Sequence, residues 1–384
     1  MSELRTRRQG RVNRPSAMGR LSLVALLFVS LSGLAQAESP TSKGDFPFHA
    51  GDRVAWIGSS STRIGVWPQT VEFLLRTRHP ELSFEAQRFT TGGGTFATGL
   101  QNLDKWLEEF RPTLVVYNYG GNDAGAGDKG IEAFLSNMEK CVERAEKSGA
   151  RVVIVTPQAA DVRKSGEEPA AKREKYANIM IEHGRKKDWT VIDTHHPLAA
   201  MQAAGEKVDP AYTMLKDKIH LTNPGYIGWG YYFYDLVSPG AVESAAILDA
   251  KGQVTKTSGC TIEDVSSQPN GTLAFTRLDK VLPILPPGLL PPRQAVPLEE
   301  RSRYLLTVTG LPEGQYDVAC EGVILGTTSA QALAKGVNLN TLMLDATEPP
   351  KAPWAALAGM IWDRKAEGID QVGKTRWRFE VRPK

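Results

Sequence analysis

The chain has 384 residues, 41% of them hydrophobic and 23% charged, which suits a globular protein of one large or two moderate domains. Its formal charge of +3 is local: Arg5, Arg7, Arg8, Arg11, Arg14 and Arg20 against Glu3 put +5 into the first 37 residues, and +3 less +5 leaves −2 for the remainder. No basic patch is left to argue for a nucleic-acid partner.

The first 37 residues read as an export signal. The arginines lead into the apolar run Leu21 to Leu34, and Ala35-Gln36-Ala37 supplies a small-residue cleavage site before Glu38. The run is short for a membrane span, so the mature chain is expected to be secreted or periplasmic, without a membrane anchor once cut after Ala37. Residues 38–50 read as a linker.

From there strands and helices alternate. Arg53 to Ile57 is an apolar run ending at Gly58, the signature of a buried strand, and Val66 to Arg78 is helical with Val71, Leu74 and Leu75 on one face. Leu82 to Phe89 is a second strand, ending at Thr90-Thr91-Gly92-Gly93-Gly94-Thr95, with a helix from Ala97 to Phe110 stopped by Pro112. Thr113 to Tyr117 is a third strand, followed by Gly120-Gly121-Asn122-Asp123 and a helix from Ile131 to Lys147 that closes at Gly149. Arg151 to Val155 is a fourth strand, ending at Pro157; Ala170 to Lys187 is helical; Trp189 to Asp193 is a fifth strand. Pro224 to Val237 gives a last helix, rich in aromatics that either form a sugar platform or pack that helix on the sheet.

These strands are continuous apolar runs rather than alternations, which predicts a parallel five-stranded sheet covered on both faces, an α/β fold. After Ser238 the texture changes. Ala245 to Leu248, Thr272 to Arg277, Tyr304 to Thr309 and Asp317 to Cys320 read as short strands around a proline-dense stretch, Pro283 to Pro297. The expected organisation is a main domain at 51–240, a small β-rich module at 241–326, and a helical segment at 327–384, with helices near Ala330 to Ala334 and Pro353 to Lys365, packing back on the main domain. Cys260 and Cys320 either pair or stay free, and Cys141 is a buried thiol in a helix. No cysteine-histidine spacing resembles a zinc site, and no cofactor is implied. Asn270-Gly271-Thr272 fits a glycosylation sequon or, more simply, a turn.

Parallel sheets place their sites beyond the carboxyl ends of the strands, where distant loops converge. Gly58-Ser59-Ser60-Ser61-Thr62 follows the first strand and can present a serine hydroxyl and a backbone N–H. The Gly92-Gly93-Gly94 turn follows the second, where glycine lets backbone approach a ligand closely. Asn122 follows the third and offers a neutral amide donor. Asp217-Lys218-Ile219-His220 precedes a helix cap at Thr222 or Asn223 and Pro224; a carboxylate three residues before a histidine can reach Nδ1–H, fix the tautomer and leave Nε2 as a base. Asp193 with His195 and His196 is the rival acid-histidine group.

The order Ser, Gly, Asn, His over residues 52–237 resembles the SGNH hydrolases, or GDSL-type esterases, with the Gly120-Gly121-Asn122-Asp123 and Asp217-to-Tyr226 stretches as its specific parts. The resemblance implies a flavodoxin-like three-layer α/β/α sandwich and metal-independent acyl-ester hydrolysis. It implies Ser60 as nucleophile, His220 as base and Asp217 as the residue that orients it, with an oxyanion hole from Ser60 N–H, Gly92 N–H and Asn122. Two departures stand out. Ser59 replaces the family's usual aspartate, so choosing Ser60 over Ser59 or Ser61 rests on alignment. Thr90 is the alternative to Gly92. The expected substrate is a short-acyl ester, such as an acetyl group on a small molecule or polysaccharide. A sugar-acylating transferase or a non-catalytic carbohydrate-binding protein would use the same architecture.

Overall fold

Residues 46–238, 242–346 and 351–384 are described by a computed structural model. The expected signal peptide, its cleavage point and most of the 38–50 linker lie outside the described residues.

The first half follows every strand with one or two helical elements. It runs β1 (Asp52–Gly58), α1 (Ser60–Ile64), α2 (Val66–Arg78), β2 (Phe84–Thr90), α3 (Phe96–Phe110), β3 (Leu114–Asn118), a 3₁₀ segment (Asp123–Gly130), α4 (Ile131–Lys147), β4 (Arg151–Val155), α5 (Val162–Ser165), α6 (Glu167–Lys187), β5 (Thr190–Ile192), α7 (His195–Val208) and α8 (Asn223–Val237). The five strands form one parallel sheet in the order β2-β1-β3-β4-β5. Successive strand residues point to opposite faces, and the core divides accordingly. Val54, Trp56, Val116 and Val155 pack with α2, α7 and α8, while Ala55, Ile57, Tyr117 and Ile154 pack with α3, α4 and α6. The result is the three-layer α/β/α sandwich.

Apolar periodicity located the five strands and five of the six long helices, α2, α3, α4, α6 and α8, to within a few residues, and missed the 14-residue α7. It did not separate α1 or α5, each a single turn. The aromatics of α8 are core. Tyr226, Trp229, Tyr231, Phe233 and Tyr234 are all buried, and Trp229 stacks on Trp67 of α2 with ring centroids 5.0 Å apart. A sugar platform on this helix is therefore ruled out for those five rings. Glu72 is also fully buried on α2, which its partners explain: Trp56 Nε1–H, Arg76 and Arg364 all donate to its carboxylate.

The second half carries two more sheets. Its elements are β6 (Glu243–Asp249), β7 (Val254–Ser258), β8 (Cys260–Ser267), β9 (Leu273–Asp279), α9 (Leu298–Arg301), β10 (Arg303–Thr309), β11 (Gln315–Cys320), β12 (Val323–Ser329), α10 (Ala330–Lys335), β13 (Val337–Asn338), α11 (Leu339–Leu344), α12 (Ala355–Trp362), α13 (Ala366–Ile369) and β14 (Arg376–Pro383). The strand orders are β13-β10-β6-β7 and β12-β11-β14-β9-β8. A buried polar network joins them. Arg277 of β9 donates to Asp279, Ser244 and the Leu305 carbonyl, and Tyr304 O–H donates to Asp279.

The C-terminal segment differs from the helical expectation for 327–384. α12 does pack on α2, through Phe73 against Trp362 and a bond from Gln69 to the Trp362 carbonyl. β14, however, lies between β11 and β9 in the middle of a sheet that begins at β8, so no boundary falls at 326. Its alternation is plain: Trp377, Phe379 and Val381 are buried, while Arg376 and Pro383 at its ends are exposed. The three cysteines are free and buried, and Cys260 donates to the Ala245 carbonyl, so the Cys260–Cys320 pairing is absent. Asn270 accepts from Thr272 N–H across a turn in which Gly271 has φ +82°.

The contact between α2 and α8 is close enough to demand glycine at 230. A Cβ there would stand 2.4 Å from Thr70 Cβ and 2.9 Å from the Trp67 carbonyl oxygen. In an exposed helix Gly→Ala gains about 1 kcal/mol. Here overpacking against fixed backbone, at about 1–3 kcal/mol, outweighs it. Gly230→Ala is expected to lower the thermal midpoint; an unchanged or raised midpoint would show that the helices can part at no cost.

Candidate active site

The site assembles at the carboxyl edge of the parallel sheet. β1 ends at Gly58, and Ser59 caps the one-turn helix α1 with extended backbone (φ −90°, ψ −155°). Gly58 cannot carry a side chain, because a Cβ would sit 2.3 Å from Thr62 Oγ1 and 2.8 Å from the Asn118 carbonyl oxygen. This tight exit delivers Ser60 as the first helical residue, where its N–H has no intrahelical partner.

The opposing group arrives on the loop before α8. Lys216 N–H donates to the His220 carbonyl, Thr222 N–H donates to the Met214 carbonyl, and the Thr222 hydroxyl accepts from Gly225 N–H as the cap of α8. These bonds close residues 214–222 into a tight turn. Lys164 and Ser165 of α5 hold it from outside by donating to the Leu215 and Lys218 carbonyls. Within the turn, Asp217 Oδ1 accepts from the N–H groups of Ile219 and His220, and Asp217 Oδ2 lies 3.0 Å from His220 Nδ1. On the other side of the ring, His220 Nε2 lies 2.9 Å from Ser60 Oγ.

The protonation pattern follows. The His220 N–H, with the imidazole and Ile219 N–H beside it, holds the Asp217 carboxyl at about 2. An ionised carboxylate can only accept, so Nδ1 carries the ring proton and Nε2 is free to accept from the serine hydroxyl. Asp217 is depressed below its ordinary value, so its charge is present above that value and is lost only as pH falls toward about 2. Asp217 therefore keeps its charge throughout the mildly acid range.

The three adjacent serines separate cleanly. Ser61 is buried and accepts from Gln158 Nε2 at 3.1 Å, Ser59 makes no capping hydrogen bond, and Ser60 alone meets the imidazole. Asn122 lines the same cleft. One of its amide hydrogens goes to the Gly94 carbonyl at 2.8 Å, which leaves the second available. Asp123 locks this corner by accepting from Gly120 and Phe96 N–H; burial raises its pKa and those bonds oppose the rise. Gly92 stands exposed in its turn and does not line the cleft, although its N–H makes no backbone hydrogen bond among the described residues. Gly94 N–H is taken by the Thr91 carbonyl, and Thr90 is the last residue of β2.

The rival pair repeats the acid-histidine geometry without a nucleophile. Asp193 Oδ2 lies 2.6 Å from His196 Nδ1, and His195 Nδ1 lies 3.0 Å from the Pro157 carbonyl oxygen, but no hydroxyl meets either ring among the described residues. Among the described residues, too, no cluster of histidine, cysteine or carboxylate side chains could hold a metal, and no helix is long and apolar enough to cross a membrane.

Asn118, Tyr119, Gln158 and Arg173 line the cleft and escaped the sequence reading. Gln158 follows β4, so the strand-end rule applied to the other loops would have flagged it. Arg173 sits on α6 in the run Lys172-Arg173-Glu174-Lys175, which reads as a solvated face.

Residues 56–226 match the model of the GDSL-like lipase/acylhydrolase family. This segment belongs to that family. Among solved structures, a gut microbial diltiazem-metabolizing enzyme is 19% identical and aligns over 90% of this chain and 100% of its own, with a TM-score of 0.75. That likeness extends the shared fold over both halves. An acetylxylan esterase from Geobacillus stearothermophilus (15% identity, 50% of this chain and 97% of its own, TM-score 0.42) and a further acetyl xylan esterase (19%, 48% and 100%, TM-score 0.42) are more distant. No curated protein matches by sequence.

Gln158 Nε2 donates both to Ser61 Oγ and to the Ile219 carbonyl, each at 3.1 Å, and so ties the serine loop of this hydrolase domain to its histidine loop. Gln158→Leu is expected to slow labelling of Ser60 by a fluorophosphonate about tenfold or more, since small misplacements of reacting groups are costly. An unchanged labelling rate would remove Gln158 from any positioning role.

Proposed function

We propose that the protein is an exported serine esterase that cleaves short-acyl esters through an acyl-enzyme. One observation carries the reading: His220 Nε2, with Asp217 behind it, is 2.9 Å from Ser60 Oγ. Nothing in a structural role calls for an imidazole in that tautomer against an accessible serine. In the first step Ser60 Oγ attacks the ester carbonyl carbon while its proton passes to Nε2. Negative charge gathers on the carbonyl oxygen, where the Ser60 N–H and the free amide hydrogen of Asn122 are the assigned donors; Gly92, exposed and outside the cleft, is not among them. His220 then returns the proton to the departing alcohol as the C–O bond breaks. Water repeats the sequence on the acyl-enzyme, its proton going to His220 and then to Ser60 as the acid leaves.

The size of the cleft supports a small acyl group. The loops of Ser60, Asn122 and Gln158 stand close together and leave a narrow cleft. Export rests on the N-terminal residues, and fractionation of cells expressing the full chain tests it.

A fluorophosphonate is expected to label the wild type but not Ser60→Ala. Ser60→Ala and His220→Ala should each lower kcat on 4-nitrophenyl acetate by about 10⁴-fold or more. Full hydrolysis by His220→Ala would mean that the assigned base is wrong.

Asn122→Ala is expected to lower kcat about 10²–10³-fold with KM little changed, the mark of a donor used mainly in the transition state. A raised KM at unchanged kcat would instead make Asn122 a ground-state contact.

A further inference from the structure

Among the described residues the other buried arginines each have a side-chain partner, although Arg78 Nε, like Arg173 Nη1, meets none. Arg76 meets Glu72, Arg277 meets Asp279, and Arg78 donates to Ser302 over the rings of Tyr231 and Tyr234. Arg173 breaks the pattern. It is only 7% exposed, its Nη1 is enclosed with no hydrogen-bond partner, and no hydrogen bond or ion pair joins it to another described residue. Burial alone lowers its pKa, with no carboxylate to offset the loss of water. An enclosed guanidinium without a counter-charge costs several kcal/mol of desolvation, and in an ordinary core it would be selected away.

Its position gives the cost a purpose. Arg173 is the first buried residue of the stripe Arg173, Tyr176, Ala177 and Met180 on α6. α6 leaves the carboxyl edge of the sheet after β4, so its early turns lie beside the catalytic loops. Arg173 lines the same cleft as Ser60, Asn118, Asn122 and Gln158, and no carboxylate lines it. The cleft therefore has a nucleophile, neutral amides and one unneutralised cation.

We propose that Arg173 is an anion subsite of the esterase, and that the natural substrate is an ester bearing a carboxylate close to the scissile bond. The inference rests on the esterase reading and deepens it. A planar carboxylate matches the guanidinium fork and supplies the missing counter-charge. The carboxylate belongs either to the acyl chain or to the alcohol, and the chemistry at Arg173 is the same in both cases.

Paired substrates separate the two. For the acyl side, the mono-4-nitrophenyl ester of glutaric acid is compared with 4-nitrophenyl pentanoate. For the alcohol side, 3- and 4-acetoxybenzoate are compared with their methyl esters. The wild type is expected to favour the carboxylate member of one pair, and Arg173→Met to cut that kcat/KM ratio about 30- to 100-fold, as for loss of a desolvated charged pair. Arg173→Lys, which keeps the charge but not the fork, should retain part of the ratio. No preference in either pair, or an equal fall on both members in Arg173→Met, would overturn the subsite; the second result would make Arg173 a general charge near the oxyanion.

A binding measurement stands apart from turnover. 4-Acetamidobenzoate or glutarate, at millimolar concentration, should raise the thermal midpoint of Ser60→Ala, and their neutral methyl esters should not. No shift with either acid overturns the subsite, and it does so without need of an Arg173 variant that folds. Absence of ester hydrolysis with a carboxylate-specific shift would sink the esterase reading alone.

Discussion

The hydrogen bond between Ser60 and His220 spans 160 residues of sequence, and the rest of the hydrolase domain is arranged so that it can form. Neither partner holds the other in place. Each is fixed by its own neighbourhood: the serine by a strand exit so tight that Gly58 can carry no side chain, the histidine by a turn closed on itself through backbone bonds and clamped by α5. Reacting groups set this rigidly lose little freedom when they react, which is what gives an active site its advantage over the same groups in water.

The parallel sheet makes the meeting possible. With strand order β2-β1-β3-β4-β5, the exits of β1 and β3 are neighbours and that of β4 is next. Ser60, Asn122 and Gln158 follow those three strands, so the sheet spacing sets their separation before any side chain is considered. The histidine loop lies beyond β5 and α7 and comes back to this edge through the packing of α8 on α2, where tryptophan stacking and a glycine contact bring the helices close. Catalytic geometry at one end of the sandwich thus depends on close packing along its flank.

The charges inside the molecule fall into two kinds. Glu72 and the Arg277–Asp279 pair are buried with every strong hydrogen-bonding direction answered by protein, and they tie distant elements together: α2 to Arg364, and one accessory sheet to the other. Arg173 is buried with its needs unanswered, and it faces the cleft. A structural charge is recognisable by its satisfaction.

The sequence alone determined the alternation of strands and helices, the covering of the sheet on both faces, and four loops carrying serine, glycine, asparagine and an acid-histidine pair. All of these are local: apolar periodicity, caps and turn residues act within a few positions of the chain. Only the tertiary structure decided which of Ser59, Ser60 and Ser61 meets the imidazole, why Asp193 and His196 form an equivalent pair with nothing to act on, and that Gln158 and Arg173 belong to the cleft. It also decided that β14, from the far C-terminus, completes a sheet begun at β8, and that Cys260 and Cys320 stay apart. Each of those turns on which distant segments become neighbours and which charged side chains lose their water, and a one-dimensional pattern records neither.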